Sequence, residues 1–128
     1  MNILNILIDV FLSTDSFHIQ SDVLWCMINL TENNVNVFNT IIDNNNFNQY
    51  MLAVLKNKID DKITNMILSF YYNGINNGNS ISIWRLLDIG LIKVIMDMIK
   101  LGLKQTLMML AIGILNKIIS PELAQRDE

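Results

Sequence analysis

An apolar helical segment ending in asparagine occurs three times along the chain, at an almost constant distance. The segments are LWCMIN, which ends at Asn29, SFYYN, which ends at Asn73, and AIGILN, which ends at Asn116, so the separations are 44 and 43 residues. A period of this length is typical of solenoids, in which each two- or three-helix repeat packs only against its neighbours. An ordinary helical bundle does not require such a constant offset.

Apolar residues recur at helical spacing through the rest of the chain, with almost no strict alternation, and this predicts an all-α fold. Polar clusters or glycines interrupt the pattern at 13–16, 33–34, 44–46, 58–61, 74–80, Gly90 and Gly102. These breaks predict helices of about ten to sixteen residues. Three helices fit in each period: a short first helix, a second helix opened by Gly90 or by its counterpart Asn45, and a long third helix.

The period also predicts how the chain is divided. We expect one solenoid segment over 1–128, with a partial repeat at 1–33, full repeats at 34–77 and 78–119, and the start of a next repeat or a tail at 120–128. The partial repeat holds the second and third helices only. Neither end has the polar face of a capping repeat, so we expect a segment of a longer protein, or self-association through an open end.

Length and hydropathy favour buried helices over membrane spans. A chain of 128 residues that is 52% hydrophobic is long enough for one core. Asp9 interrupts the first apolar run, which has no basic segment before it, so a cleaved signal peptide is not expected. Only 12 uncharged residues lie between Lys104 and Lys117, too few to cross a bilayer. With the single Cys26, these features predict an intracellular location, in the cytoplasm or the nucleus.

Charge is distributed unevenly. Residues 1–55 contain five acidic side chains and no Lys or Arg, whereas the remaining residues contain nine basic and seven acidic ones. The N-terminal part therefore carries a net charge of −5, which attracts a cationic partner and repels nucleic acid. We expect a protein or peptide partner, and neither nucleic acid nor membrane.

No group of residues has the pattern of a catalytic or cofactor site. Ser13, Asp15, Ser16 and His18 are close in sequence, but they lie in a predicted helix connection, where capping accounts for the Ser and Asp side chains. The glycine-containing segment 74–78 lacks the Lys-Ser/Thr of a phosphate-binding loop. A single His and a single Cys do not form a zinc site of the usual spacing. We therefore expect no enzyme, no cofactor and no metal.

The stretch WCMIN at 25–29 resembles the third helix of the armadillo repeat in the importin alpha (karyopherin alpha) adaptors, where Trp precedes Asn by four residues, as in W-A-L-x-N. Cys26 stands at the family's small residue and Met27 at its Leu. The segment IGLI at 89–92 is similar to the turn that opens the family's second helix. The resemblance implies a right-handed α-α superhelix of about two full repeats plus partial repeats at the ends.

In that family the third helices line a concave groove that holds an extended, basic nuclear-localisation peptide. The Asn side chains bind the peptide backbone, since an amide offers both a donor and an acceptor, and the Trp faces sandwich lysine stems. The resemblance therefore implies a peptide-binding module like part of a nuclear-import adaptor. The matching positions here are Ser21, Trp25, Asn29, Asn33, Asn65, Ser69, Asn73, Met108, Ile112 and Asn116.

The family often has an acidic residue four positions after the Asn, where it binds a lysine ammonium. Here those positions hold Asn33, Asn77 and Ser120, and the nearest acids that substitute for them are Asp22 and Glu32. This departure concerns how a basic peptide would be held, and leaves the predicted groove itself in place.

Structural roles are open for the same residues. Trp25 also suits packing in the core or between helices, and an Asn near a helix end also suits a hydrogen bond to nearby backbone that holds the repeat geometry. Trp84 lies in the predicted first helix of the third repeat, where we expect it to pack in the core. The alternative function is a structural or scaffolding armadillo segment with a different protein partner or a role in assembly.

Overall fold

The computed structural model describes residues 2–57 and 60–119, and within these ranges it contains eight helices and no strand. The helices are α1 (Ile3–Ser13), α2 (Phe17–Thr31), α3 (Val35–Ile42), α4 (Asn45–Asn57), α5 (Asp61–Asn76), α6 (Ser80–Ile89), α7 (Leu91–Leu101) and α8 (Gln105–Ile118). The all-α prediction is confirmed. In the described ranges, no helix is long and apolar enough to cross a membrane. The predicted tail at 120–128 lies outside the described residues.

Side-chain caps and glycines explain where the helices begin and end. Ser16 caps α2 by accepting a hydrogen bond from the Ile19 N–H, as its predicted capping role requires. Five other helices begin with the same kind of cap, provided by Asn2, Asn34, Asn44, Asp60 and Asn79. Gly90 separates α6 from α7 at φ 89°, a left-handed conformation that glycine adopts without steric cost. The predicted break at 74–80 is shorter in the structure, because α5 continues to Asn76.

Helices three positions apart in the chain are neighbours in space. Helix α2 packs against α5, and α5 against α8, while α3 contacts α6, α4 contacts α7 and α1 contacts α4. We call α1 and α2 the first pair, α3 to α5 the middle unit and α6 to α8 the last unit. Equivalent helices of consecutive units therefore lie side by side, which is compatible with an α-helical solenoid. The predicted repeat boundaries at 33, 77 and 119 stay predictions.

The second and third helices of these units follow one register. The residues that precede α2, α5 and α8 are Ser16, Asp60 and Lys104, and consecutive members of this series are 44 residues apart. The helices α1, α4 and α7 end 44 residues apart as well. In these helices a residue and the one 44 positions later therefore occupy equivalent places. The first helices α3 and α6 begin 45 residues apart. Helix α7 begins 46 residues after α4 but is two residues shorter, so the two helices end 44 residues apart.

Aromatic rings join the first pair to the middle unit. The ring of Phe11 in α1 lies 4.9 Å from that of Phe47 in α4, centroid to centroid, and Phe70 of α5 packs against Phe38 of α3 at 5.6 Å. Phe11 and Phe47 form an edge-to-face pair, which contributes about 0.5–1.5 kcal/mol beyond its burial. Gly74 lies so close to Phe38 that a Cβ added there would be 1.9 Å from the ring. A glycine at this position of α5 is what lets α3 pack against it.

Trp84 is not in the core, contrary to the prediction from the sequence. It lies on α6 and is 53% exposed. Helix α6 packs against α3 through Ser82, whose Oγ donates to Asn39 Oδ1 at 2.6 Å, and through Arg85, which donates to the Asn39 carbonyl. Since successive helical residues are about 100° apart, Trp84 lies on the other side of α6 from this contact.

Candidate functional site

Helices α2, α5 and α8 share one accessible side, which we call the third-helix face. Each helix contributes an equivalent pair of residues to this face: Trp25 and Asn29 on α2, Ser69 and Asn73 on α5, and Gly113 and Lys117 on α8. Asn65 lies beside Ser69 on α5. The ring of Tyr72 in α5 lies against Gly113 of α8, where an added Cβ would be 2.7 Å from Tyr72 Cε1. This contact shows how closely the third helices of the two units approach one another.

On α2, the Trp25 indole is 58% exposed, and Asn29 is exposed one turn later. The opposite side of the helix is formed by Leu24 and Met27, which are fully buried. The alternative in which Trp25 is a core residue is therefore wrong. Within the described residues, the Asn29 carboxamide forms no hydrogen bond, so its donor and acceptor are both accessible.

On α5, the side chains of the same face are half-buried and bonded to their own helix. Ser69 Oγ donates to Asn65 Oδ1 at 3.2 Å, and Asn73 Nδ2 donates to the Ser69 carbonyl at 2.8 Å. Asn77 repeats the pattern by donating to the Asn73 carbonyl at 3.0 Å. The Asn73 amide therefore offers an external ligand mainly its Oδ1 acceptor.

On α8, the predicted third asparagine is displaced by one residue. Counted from the start of each long helix, the position of Asn29 and Asn73 is occupied by Lys117, and Asn116 lies one residue earlier. One residue turns a helix by about 100°, so Asn116, although exposed, points away from the row. The row of three asparagines inferred from the sequence thus consists of two asparagines and a lysine. Met108 is half-buried and Ile112 exposed on the same helix.

Ser21 is not accessible, although it was predicted to line the groove. It is 4% exposed, and its Oγ forms no hydrogen bond with the described part of the chain. Residues four apart are separated by about 400° of rotation, so a row of such residues drifts by about 40° at each step. The drift moves Ser21 toward the packed side of α2. At the other end of the row, Asn33 is exposed and adopts φ 56°, a left-handed conformation that Asn tolerates.

The electrostatic character of the third-helix face changes from α2 to α8. On α2, Asp22 is exposed and lies 3.7 Å from His18, and Glu32 is exposed at the end of the helix. Lys62 on α5 and Lys117 on α8 are exposed cations on the other two helices. An elongated ligand would therefore meet negative charge at α2 and positive charge at α8.

Two buried polar side chains that the sequence reading missed fix the backbone behind this face. Asn48 of α4 is fully buried, and its Nδ2 donates to the carbonyls of Ile41 and Ile42 at 3.0 and 2.9 Å. Its Oδ1 accepts a hydrogen bond from Tyr71 of α5 at 2.8 Å, and burial raises the pKa of Tyr71. Gln20 of α2 is buried too, and links the Phe11 carbonyl to the Tyr50 hydroxyl.

Nothing in the described ranges groups three His, Cys, Asp or Glu side chains around a site that could hold a metal ion. Comparison with protein-family models, with curated proteins and with solved structures finds no match to the chain. The functional inference therefore rests on the geometry and chemistry of the third-helix face.

Proposed function

We propose that this chain is an armadillo-like, right-handed superhelix that serves as a protein interaction module and binds an extended polypeptide along the third-helix face. The observation that carries the proposal is the pairing of an exposed indole, Trp25, with an exposed carboxamide, Asn29, one turn apart on a helix packed against α5. A large exposed aromatic side chain beside a two-way hydrogen-bonding group is a chemistry that interfaces favour.

Binding would be strongest at α2 and weaker along α5. Asn29 supplies a donor and an acceptor to the backbone of an extended segment, and Asn73 supplies its Oδ1 because its Nδ2 is bonded to Ser69. Each such hydrogen bond contributes about 1 kcal/mol net, so several contacts in register are needed for measurable affinity. Trp25 adds a flat surface for an aliphatic or cationic side chain.

Charge favours a basic residue of the ligand at α2. Asp22 is one turn from Trp25, and no Lys or Arg occurs in the first 55 residues. A Lys or Arg seated on Trp25 would therefore meet an aromatic face and a carboxylate together. The ligand of this proposal is a nuclear-localisation-like peptide, basic where it meets α2, and the protein acts without catalysis in the cytoplasm or nucleus.

A fluorescence titration tests the proposal. In Trp84→Phe, Trp25 is the single tryptophan, and a lysine-rich peptide added at low salt should change its emission in a saturable manner. Asn29→Ala should weaken binding about tenfold, which corresponds to roughly 1.4 kcal/mol. Asn46→Ala, which removes an exposed asparagine of α4, is the matched control and should bind normally. No change in emission at low salt would rule out the peptide-binding proposal.

A scaffolding role is the second candidate, and a separate observation favours it. Large apolar side chains are exposed at both ends of the stack, among them Ile3 and Ile119. Exposed apolar surface of this kind is typical of assembly contacts. In this role the chain would act through its ends, and the fluorescence titration would give no signal.

A further inference from the structure

The first pair exposes apolar positions that are buried further along the chain. Five residues of α1 and α2, which we call the leading face, are between 37% and 57% exposed. They are Ile3, Ile6, Val10, Ile19 and Leu30. The residues 44 positions after Ile3, Val10 and Ile19 are Phe47, Val54 and Ile63, all at most 3% exposed. The leading face of the first pair is therefore equivalent to the surface of the middle unit that packs against the first pair.

The last unit shows the complementary pattern on its other side. Three residues that we call the trailing face are 41% to 71% exposed: Met96 of α7, Ile112 of α8, and Ile119, which directly follows α8. The residues 44 positions earlier are Leu52, Leu68 and Ile75, and these are at most 3% exposed. The trailing face of the last unit is therefore equivalent to the surface of the middle unit that packs against the last unit.

Both faces have room for apolar side chains. Ile3 and Leu30 line an open hollow of about 520 Å³ together with Val37 of α3. Ile112 lines another of about 550 Å³ with Met108 and Met109. Exposed apolar surface organised in this manner marks interaction sites in soluble proteins.

The charges of the two faces are opposite. The helices of the leading face and their connection, from Ile3 to Thr31, contain three acidic residues and no Lys or Arg. The helices of the trailing face and their connection, from Leu91 to Ile118, contain four lysines and one aspartate. Opposite charge favours the approach of one face to the other and disfavours the approach of two like faces.

We propose that the leading face of one copy of this chain binds the trailing face of a second copy. The contact would repeat between copies the packing that already joins the first pair to the middle unit and the middle unit to the last unit within the chain. Because the two faces differ, each bound copy still has one face available, and the association is head-to-tail and open-ended.

Sedimentation equilibrium of the whole chain over about two orders of magnitude in concentration tests the open-ended association. The weight-average mass should rise continuously with concentration and pass the mass of a dimer without a plateau. A mass that stays at that of the monomer, or that stops at the dimer, would overturn the proposal.

Two blocking variants test the direction of the contact. Ile6→Asp places a charge on the leading face and Ile112→Asp places one on the trailing face, so each variant alone should remain monomeric. An equal mixture of the two should form a 1:1 dimer and nothing larger, since one unblocked leading face and one unblocked trailing face remain. A mixture that stays monomeric, while both variants keep the helical circular dichroism of the parent, would overturn the head-to-tail contact.

The matched control is Asn76→Asp, which adds the same charge at the exposed end of α5, outside both faces. It should associate like the parent chain. If Asn76→Asp also abolished association, the effect would be one of net charge, and the assignment to the two faces would be wrong.

Discussion

Helices α2, α5 and α8 are equivalent, but the position of a helix in the stack determines whether its apolar side chains are buried or exposed. Ile63 and Leu68 of α5 are fully buried, whereas their equivalents Ile19 of α2 and Ile112 of α8 are 43% and 41% exposed. All four residues are large and aliphatic. The difference arises because, among the helices that the structure describes, α5 has a third helix on each side and α2 and α8 have one each. Burial here follows from the presence of a neighbour, and residue type alone does not determine it.

The same comparison holds for the polar residues. Asn73 of α5 is half-buried and donates to its own helix, whereas Asn29 of α2 is exposed and forms no hydrogen bond within the described residues. The middle of the stack therefore uses its amides for structure. The outer helix α2 keeps its amide available for a ligand, so the proposed peptide binding and the proposed end-to-end association both depend on helices that lack a second neighbour.

The largest expected effect comes from one pair of equivalent residues, Phe70 of α5 and Cys26 of α2. Phe70 is fully buried against Phe38 and Phe47, so Phe70→Ala should lower the free energy of unfolding by about 3–5 kcal/mol. Cys26→Ala should change it by less than about 0.5 kcal/mol, because Cys26 is exposed. Urea denaturation of both variants measures the difference, and equal losses would contradict the comparison.

A smaller loss of stability is expected when Asn48 is replaced, because this side chain is buried in the middle unit and hydrogen-bonded there. Asn48→Ala removes the side-chain partner of the Ile42 carbonyl and of the Tyr71 hydroxyl, and one of the two hydrogen bonds to the Ile41 carbonyl, at a cost of about 2–3 kcal/mol. The exposed Asn46 of the same helix is the control, and its change to Ala should cost less than about 0.5 kcal/mol. Thermal melting followed by circular dichroism distinguishes them; an unchanged midpoint in Asn48→Ala would disprove the role of the amide.

Gly74 and its equivalent Leu30 give the third contrast. In Gly74→Ala the new methyl group meets the Phe38 ring, and the overpacking should cost about 1–3 kcal/mol, reduced by up to about 1 kcal/mol because Ala favours helix. Leu30→Ala removes a partly exposed side chain from the leading face and should cost less than about 1 kcal/mol. Chemical denaturation of the two variants, at a concentration low enough to keep both monomeric, tests this order. A Gly74→Ala chain more stable than the parent would show that α3 and α5 are further apart.

The smallest effect is expected at two adjacent tyrosines of α5, Tyr71 and Tyr72. Tyr71→Phe removes one hydrogen bond and should lower the free energy of unfolding by about 1 kcal/mol at neutral pH. Burial raises the pKa of Tyr71 in the folded chain above the unfolded value of about 10. Its contribution to stability is therefore complete below about pH 10 and is lost as the pH rises further. The alkaline loss should shrink in Tyr71→Phe and persist in Tyr72→Phe. Identical alkaline melting curves for parent and Tyr71→Phe would contradict the burial of the hydroxyl.

Much of the fold could be predicted because the sequence marks the helix ends. Asn34, Asp60 and Asn79 cap helices at polar clusters that predict breaks between helices, and Gly90 separates two helices as the sequence predicts. The interval of about 44 residues can be predicted because similar apolar segments recur at that distance along the sequence. Superhelix handedness and the armadillo assignment stay predictions.

The site was harder to predict, for physical reasons. Asn116 matches the apolar pattern of Asn73 in the sequence, but helix register is counted from the start of α8, and one residue moves a side chain by about 100°. Asn48 lies in the polar run NNNFNQY, which has the composition of a surface segment, and only the fold shows that the amide is buried. The sequence predicts Trp84 in the core because it belongs to the first helix of the third repeat, away from the groove, yet the side chain lies on the side of α6 away from α3.

Nuclear Overhauser contacts between third helices test the central claim most directly, because that claim is that helices 44 residues apart are neighbours. We predict contacts from the Tyr72 ring protons to the α-protons of Gly113, and from the Phe38 ring to the α-protons of Gly74. The first contact joins α5 to α8 across two units, and the second lies within the middle unit. Observation of both would establish the stacking, and absence of the Tyr72–Gly113 contact in a folded chain would contradict it.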